Sequence, residues 1–448
     1  MTALLGLLLV TSIDGEAALR HASALAALGP HPWGSPRVQV AAQYVAAQFR
    51  EAGLTEVELQ RFERAGVVGT NVIATRRAAG EEFVLVAAHH DTAPGAPGAY
   101  DDGGGVGILI ELARSLGREP SRTRTIVFAS FDAEESWASG KGRALGSRAY
   151  IERLGPRARD LVAAFAIEMS GWKGGTPIAH PIAYADPREK GRTVIAPAWL
   201  VRAALEGSRE AGAPLGLGDP LLSWLYQPAV RTFRVALYGD DLSFLQAGLP
   251  GLFASDSSFS AFYPSYHQPS DTADQLDPAA LERMGRSALG VVRALERGPK
   301  RGPEERHWFA AFGRVVGLPA LLAIGVASLL PGLRLGLVGG GWILAARLAQ
   351  AALFAVLLWR HPVPALWLLL LPHVLAPWRL TRWTIVLSLA PAASLLAIGA
   401  AGAARGVVEG VWLAPWEVAV AVVVVVFAFV GAGRRGKKAD RGRGRLRR

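Results

Sequence analysis

Three short runs set the architecture this chain can adopt: EFVLVAAH at 82–89, TRTIVFASFD at 123–132 and LVAAFAIEM at 161–169. Each is apolar along nearly its whole length, whereas a strand with one wet face alternates. Such strands are buried on both faces, as in the middle of a parallel sheet. Around them lie segments with apolar residues at helical spacing, at 17–28, 37–53, 104–117, 141–153, 197–211 and 278–296. Shorter β-type stretches at 56–62 and 70–76 precede the first run, and LFAS at 252–255 follows as a late strand. Strands alternating with helices predict an α/β domain over 17–297, with a mostly parallel central sheet flanked by helices.

The pattern changes at GPKRGPEER, which opens a polar linker over 298–308. Beyond it, apolar spans at about 315–333, 335–359, 363–378, 383–404 and 412–432 predict an all-α, multi-spanning membrane domain of about five helices over 309–433. The charge divides at the same place. Of 48 Lys/Arg and 37 Asp/Glu, 16 and 3 lie after His307, which leaves the first domain close to neutral. That domain has no basic excess to neutralise phosphates, so nucleic acid is not an expected partner. Nine Lys/Arg crowd the tail at 434–448, which suits anionic lipid headgroups. The positive-inside rule places this tail in the cytoplasm; with five spans the first domain is extracytoplasmic. Residues 1–16 include TALLGLLLV, too short to span a bilayer and preceded by no positive charge. They read either as a signal segment or as the start of a helix. The chain has no cysteine, which excludes disulfides, thiolate ligands and cysteine nucleophiles. Its richness in Ala, Arg and Gly suggests a bacterial source.

Metal-ligand residue types stand where the predicted strands end. His89 closes EFVLVAAH, Glu134 and Glu135 follow TIVFASFDA, and Glu168 closes LVAAFAIE. Sites in open α/β sheets assemble at these carboxyl ends. Asp101 in GAYDDGGG and His267 in SYHQPSDT complete a set of two histidines and three carboxylates. Such a set suits two zinc-like ions, with Asp101 bridging through its two oxygens. In His89-His90-Asp91 the first histidine is the expected ligand and Asp91 the residue that orients its ring; His90 points to the other side of an extended chain. Asp102 doubles as a cap for the helix at 104–117. Glu134, beside a ligand and free of ligation, suits a general base. Tyr266, beside His267, offers a phenol to a developing oxyanion. Asp240-Asp241 reads most simply as a helix cap, with support of the site as the lesser reading.

In this order the motifs AAHHD, GAYDDGGG, FDAEES, AIEMSG and YHQPSDT resemble the M28 family of metallopeptidases, over roughly residues 20–295. The resemblance implies a zinc-exopeptidase-like fold and a binuclear zinc site, other divalent metals being acceptable. It groups His89, Asp101 and Glu168 around one ion and Asp101, Glu135 and His267 around the other. Glu134 matches the family's general base and Tyr266 its oxyanion donor. A cis peptide bond is implied at Asp101–Asp102. The implied activity is that of an aminopeptidase acting on peptides. Glutamate at 168, where many soluble members have aspartate, followed by GWKGG, is more similar to the branch of endoplasmic-reticulum and vacuolar membrane metallopeptidases, which join such a domain to a multi-spanning region. Two other readings stay open: a glutaminyl-cyclase-like mononuclear zinc acyltransferase, which would not need all five ligands, and a non-catalytic receptor or scaffold.

Overall fold

The computed structural model describes residues 13–117, 123–136, 142–182, 193–217, 239–257 and 263–298, a few isolated positions between them, and two short strands within 308–317. The expected signal segment, the bulk of the membrane domain and the basic tail lie outside the described residues.

Local signals place most of the elements. Helix α1 (Gly15–Ala26) starts at Asp14, whose side chain accepts the Ala17 N–H at 3.0 Å. Helix α2 (Pro36–Glu51) starts at Ser35, which accepts from Val38 N–H, with proline at the first helical position. Strands β1 (Glu56–Arg64) and β2 (Val67–Arg76) form a hairpin around Ala65-Gly66, both with positive φ, as a tight two-residue connection requires. Next come β3 (Phe83–His89), α3 (Gly104–Gly117), β4 (Thr125–Phe131), α4 (Leu145–Leu154) and β5 (Leu161–Ile167). The short strands β6 (Ile178–His180), β7 (Tyr184–Ala185) and β8 (Thr193–Val194) lead to α5 (Ala198–Glu210) and β9 (Gly216–Leu217). After α6 (Asp241–Gln246) and β10 (Gly251–Ser255), the long helix α7 (Pro278–Arg297) ends the domain.

Eight of the described strands form one sheet in the order β1-β2-β4-β3-β5-β10-β6-β9, and β7 and β8 pair separately. Its centre, β4-β3-β5-β10, is parallel, while β1–β2, β2–β4 and β10–β6 pair antiparallel. The sheet is therefore mixed, and the expectation of a mostly parallel sheet holds for its middle. The β1–β2 hairpin could not be parallel, because a two-residue turn reverses the chain. Every residue of β3, β4 and β5 is buried. Alternate side chains explain why: Val84, Val86 and Ala88 of β3 join a core with α2, α3 and α7, while Phe83, Leu85 and Ala87 pack in a second core with Tyr150 of α4 and Phe244 of α6.

No helix among the described residues is long and apolar enough to cross a membrane. The first expected span, from about 315, begins beside two short described strands. Residues Trp308–Ala311 (β11) and Arg314–Gly317 (β12) pair antiparallel, so their backbone groups are spent on a ladder rather than a helix.

Candidate metal centre

The parallel strands point their carboxyl ends at one place, and the loops leaving them carry the predicted residues there. His89 is the last residue of β3, Glu134 and Glu135 lie on the turn after β4, and Glu168 follows β5. Asp101 and Asp102 sit on the tight turn before α3, and the peptide bond between them is cis. His267 lies on the loop that leads towards α7, with a left-handed φ of 58°.

Asp101 sits between the two histidines. Its Oδ1 is 3.3 Å from His89 Nε2, and its Oδ2 is 3.1 Å from His267 Nε2. His89 Nε2 is also 3.5 Å from Glu168 Oε2, and His267 Nε2 is 2.6 Å from Glu135 Oε1. All five predicted ligands thus converge, and each carboxylate oxygen of Asp101 faces a different half of the cluster. Among the described residues, three groups place one ligand atom each within 4.8 Å of one another: His89, Glu134 and Glu135; His89, Asp102 and Glu168; Asp101, Glu135 and His267. Asp102 is the unexpected member. Its oxygens already accept the amide N–H of His89 at 3.3 Å and of Gly105 at 3.1 Å, so it serves the start of α3 as expected.

Asp91 acts differently from expectation in one respect. The His89 Nδ1 lies 3.0 Å from the Asp91 backbone carbonyl and 3.5 Å from its carboxylate. A proton on Nδ1 donated to that carbonyl leaves Nε2 facing the carboxylates. The Asp91 carboxylate itself accepts the amide N–H groups of Glu134 (2.9 Å) and Glu135 (3.1 Å). One residue thereby sets both the His89 ring and the Glu134–Glu135 turn. His90 points away, with Nδ1 2.9 Å from Ser130 Oγ, and burial pushes its pKa down to about 3, so it is neutral. The Tyr266 ring stacks on the His267 ring with centroids 3.6 Å apart.

Burial and mutual contact shift the titration of the clustered groups. Burial raises the carboxyls of Glu134 and Glu168 well above their usual range, and that of Glu135 above it. Burial alone would lower the histidines, but hydrogen bonds to Asp101 and its neighbours outweigh it, lifting His89 well up and His267 to about 10. Asp101, flanked by both histidines, stays well below the carboxylate range despite its burial. Acids that hold their protons beside histidines that gain them mark a buried site short of positive charge. Glu134 Oε1 is buried with no hydrogen-bond partner among the described residues. The donor set of imidazole nitrogens and carboxylates suits zinc.

Three further groups position the site: Asp240, whose support of the site was the lesser reading from sequence, and Asp256 and Asp271, which were not assigned. Asp240 holds the N-cap position of α6 but makes no capping bond with its side chain; its amide N–H donates to Glu168 Oε1 at 3.1 Å. A Cβ at Gly239 before it would sit 2.5 Å from that same oxygen, so a side chain there would displace the Glu168 carboxylate. Asp256 accepts the Tyr100 hydroxyl at 2.7 Å and the amides of Gly171 and Trp172, so it secures the segments beside Asp101 and Glu168. Asp271 accepts the backbone N–H groups of Tyr100 and Asp101. Asp256 stands outside every motif and carries no such signal until the fold closes, while Asp271 lies within YHQPSDT without a partner there to mark its role.

Residues 71–292 match the family model for peptidase family M28. This is a peptidase family M28 domain. Among curated proteins, the chain is 25% identical over 268 residues to the probable lipoprotein aminopeptidase LpqL of Mycobacterium tuberculosis, covering 55% of this chain and 48% of that protein. It is 24% identical over 259 residues to endoplasmic reticulum metallopeptidase 1 of Mus musculus, covering 56% of this chain and 25% of that one. The chain thus spans about half, or less, of the length of these relatives. Among solved structures, a zinc aminopeptidase from Bacillus subtilis superposes with a TM-score of 0.50 at 16% identity, over 64% of this chain and 97% of that one. Glutaminyl cyclase from Fimbriiglobus ruber does so with a TM-score of 0.50 at 20% identity, over 63% and 95%. At these identities the structural likeness shows the zinc-exopeptidase type of fold.

Proposed function

We propose that this M28 domain is a binuclear zinc metallopeptidase that hydrolyses peptide bonds as an aminopeptidase. The observation that carries the reading is Asp101, whose two oxygens face His89 and His267 separately. His89, Asp101 and Glu168 would hold one ion; Asp101, Glu135 and His267 would hold the other. A mononuclear cyclase site has no use for both sets. When bound, the ions supply Lewis acidity, polarising the scissile carbonyl and making water a nucleophile near neutral pH.

The chain's own residues do the rest. Glu134 Oε1, buried and unpartnered among the described residues, accepts the proton of the attacking water as the carbon–oxygen bond forms. Asp91 fixes its approach by holding the Glu134 amide. Glu134 then passes the proton to the amine as the carbon–nitrogen bond breaks, so protons balance over the cycle. Tyr266, stacked on His267, donates its phenol hydrogen to the oxyanion. A panel of peptides with free and blocked N-termini tests the reading: cleavage of the free series alone is expected, and cleavage of neither series by the zinc-loaded chain refutes it.

The apolar spans at 309–433 and the basic tail support a membrane anchor, with the lipid bilayer as partner and the peptidase domain extracytoplasmic. Protease digestion of the domain in intact cells tests this placement; protection until the cells are lysed would reverse it.

A further inference from the structure

His267 occupies an unusual position for a ligand. Its backbone lies in the left-handed region, which a side chain bearing a Cβ seldom adopts without support. The support lies four residues away on either side. Tyr263 and Asp271 close the base of the loop, with the Tyr263 hydroxyl donating to Asp271 Oδ1 at 3.2 Å. Both are buried, and the Tyr263 ring packs on Tyr100 with centroids 4.1 Å apart.

The same carboxylate reaches the other ligand. Asp271 Oδ1 accepts the Tyr100 N–H at 2.8 Å, and Oδ2 accepts the Asp101 N–H at 3.3 Å. The Asp271 carbonyl accepts the Ala99 N–H at 3.3 Å, so the contact runs along the whole approach to Asp101. Asp101 and His267 are 166 positions apart in sequence, yet one side chain sets the backbone of the first and the loop of the second.

We propose that Asp271 is a positioning residue that locks the bridging Asp101 to the His267 loop, and so sets the metal affinity of the half-site formed by Asp101, Glu135 and His267. The inference rests on the binuclear reading above. The physical basis is preorganisation. Ligands fixed before the ion arrives lose little freedom on binding, and loss of an outer support typically weakens metal binding by about 10–100-fold.

The test is a chelator-competition titration with zinc on the full-length chain and two variants. Asp271→Asn keeps one acceptor oxygen for Tyr100 but turns an NH2 group towards the Asp101 amide, which then has no acceptor there. Tyr263→Phe opens the loop base and leaves both backbone contacts intact. For Asp271→Asn the weaker zinc site should lose affinity about 10–100-fold, with kcat recovering at saturating zinc. For Tyr263→Phe a smaller loss, several-fold, is expected. A purely structural role would lower Tm and leave both zinc constants where they were, and that result overturns the proposal. Should Asp271→Asn fail to fold, Tyr263→Phe decides, and an unchanged constant there is equally fatal. Wild-type chain that binds no zinc would instead refute the metallopeptidase reading itself, which separates the two failures.

Discussion

Glu134 and Asp91 are the residues whose roles are most sharply divided by a small change. Glu134→Gln preserves size and hydrogen bonding but removes the proton acceptor. It should retain both metals and lower kcat by roughly 10²–10⁴-fold or more, as expected for loss of a general base; kinetics alongside metal analysis checks this, and full turnover would remove the assignment. Asp91→Ala should act through two neighbours at once, since its carboxylate holds the amides of Glu134 and Glu135. Metal affinity should fall about 10–100-fold, measurable by chelator competition. The residues with chemistry of their own were legible from sequence because each stands at a strand end or in a motif. The groups behind them were legible only in part. Asp240 serves Glu168 with its backbone amide, which any residue possesses, and only Gly239 hints at the close approach. Asp91 was expected to orient His89; its carbonyl and carboxylate both lie beside the ring, and its hold on the next loop was not foreseen.

Secondary structure places these side chains through a few close contacts. The first turn of α3 lies against the carbonyl of Ser170, two residues beyond Glu168, and a Cβ at Gly104 would be 2.0 Å from that oxygen. Gly104→Ala should therefore push the helix start from the Glu168 strand end. A loss of about 1–3 kcal/mol in stability is expected from overpacking of this kind, read from urea denaturation. The helices and buried strands were readable because apolar periodicity is a local property. The direction of the outer strands was less so. Parallel and antiparallel pairing leave the same apolar pattern in a buried strand, and only the turn at Ala65-Gly66 distinguishes them here. Composition is likewise silent on pairing at the start of the membrane-like region. Residues 314–317 share the apolar composition of the chain beyond them, yet they pair with 308–311 as strand.

At the scale of the whole molecule, the cluster makes the metal-free protein sensitive to alkali. Glu134 and Glu168 are raised by burial, so the folded form holds protons that the unfolded chain has released. Their contribution to stability is complete below the ordinary carboxylate pKa and lost as pH rises through the folded value. His267, raised to about 10, and His89, raised well above its ordinary value, act with the same sign: full below the unfolded histidine pKa near 6.5, lost above it. Asp101 has the opposite sign, but its window lies at or below the carboxylate range and does not oppose the others near neutrality. The chelated chain should thus lose Tm steadily between about pH 6 and pH 9. The metal-loaded chain should stay flatter, because bound cations hold the acids ionised; parallel melting curves would contradict the account. The most direct test is metal content of the purified chain set beside that of Asp101→Ala. The account predicts about two zinc equivalents per wild-type chain and the loss of tight binding at both positions in the variant. One equivalent in the wild type, or two retained without Asp101, would contradict it.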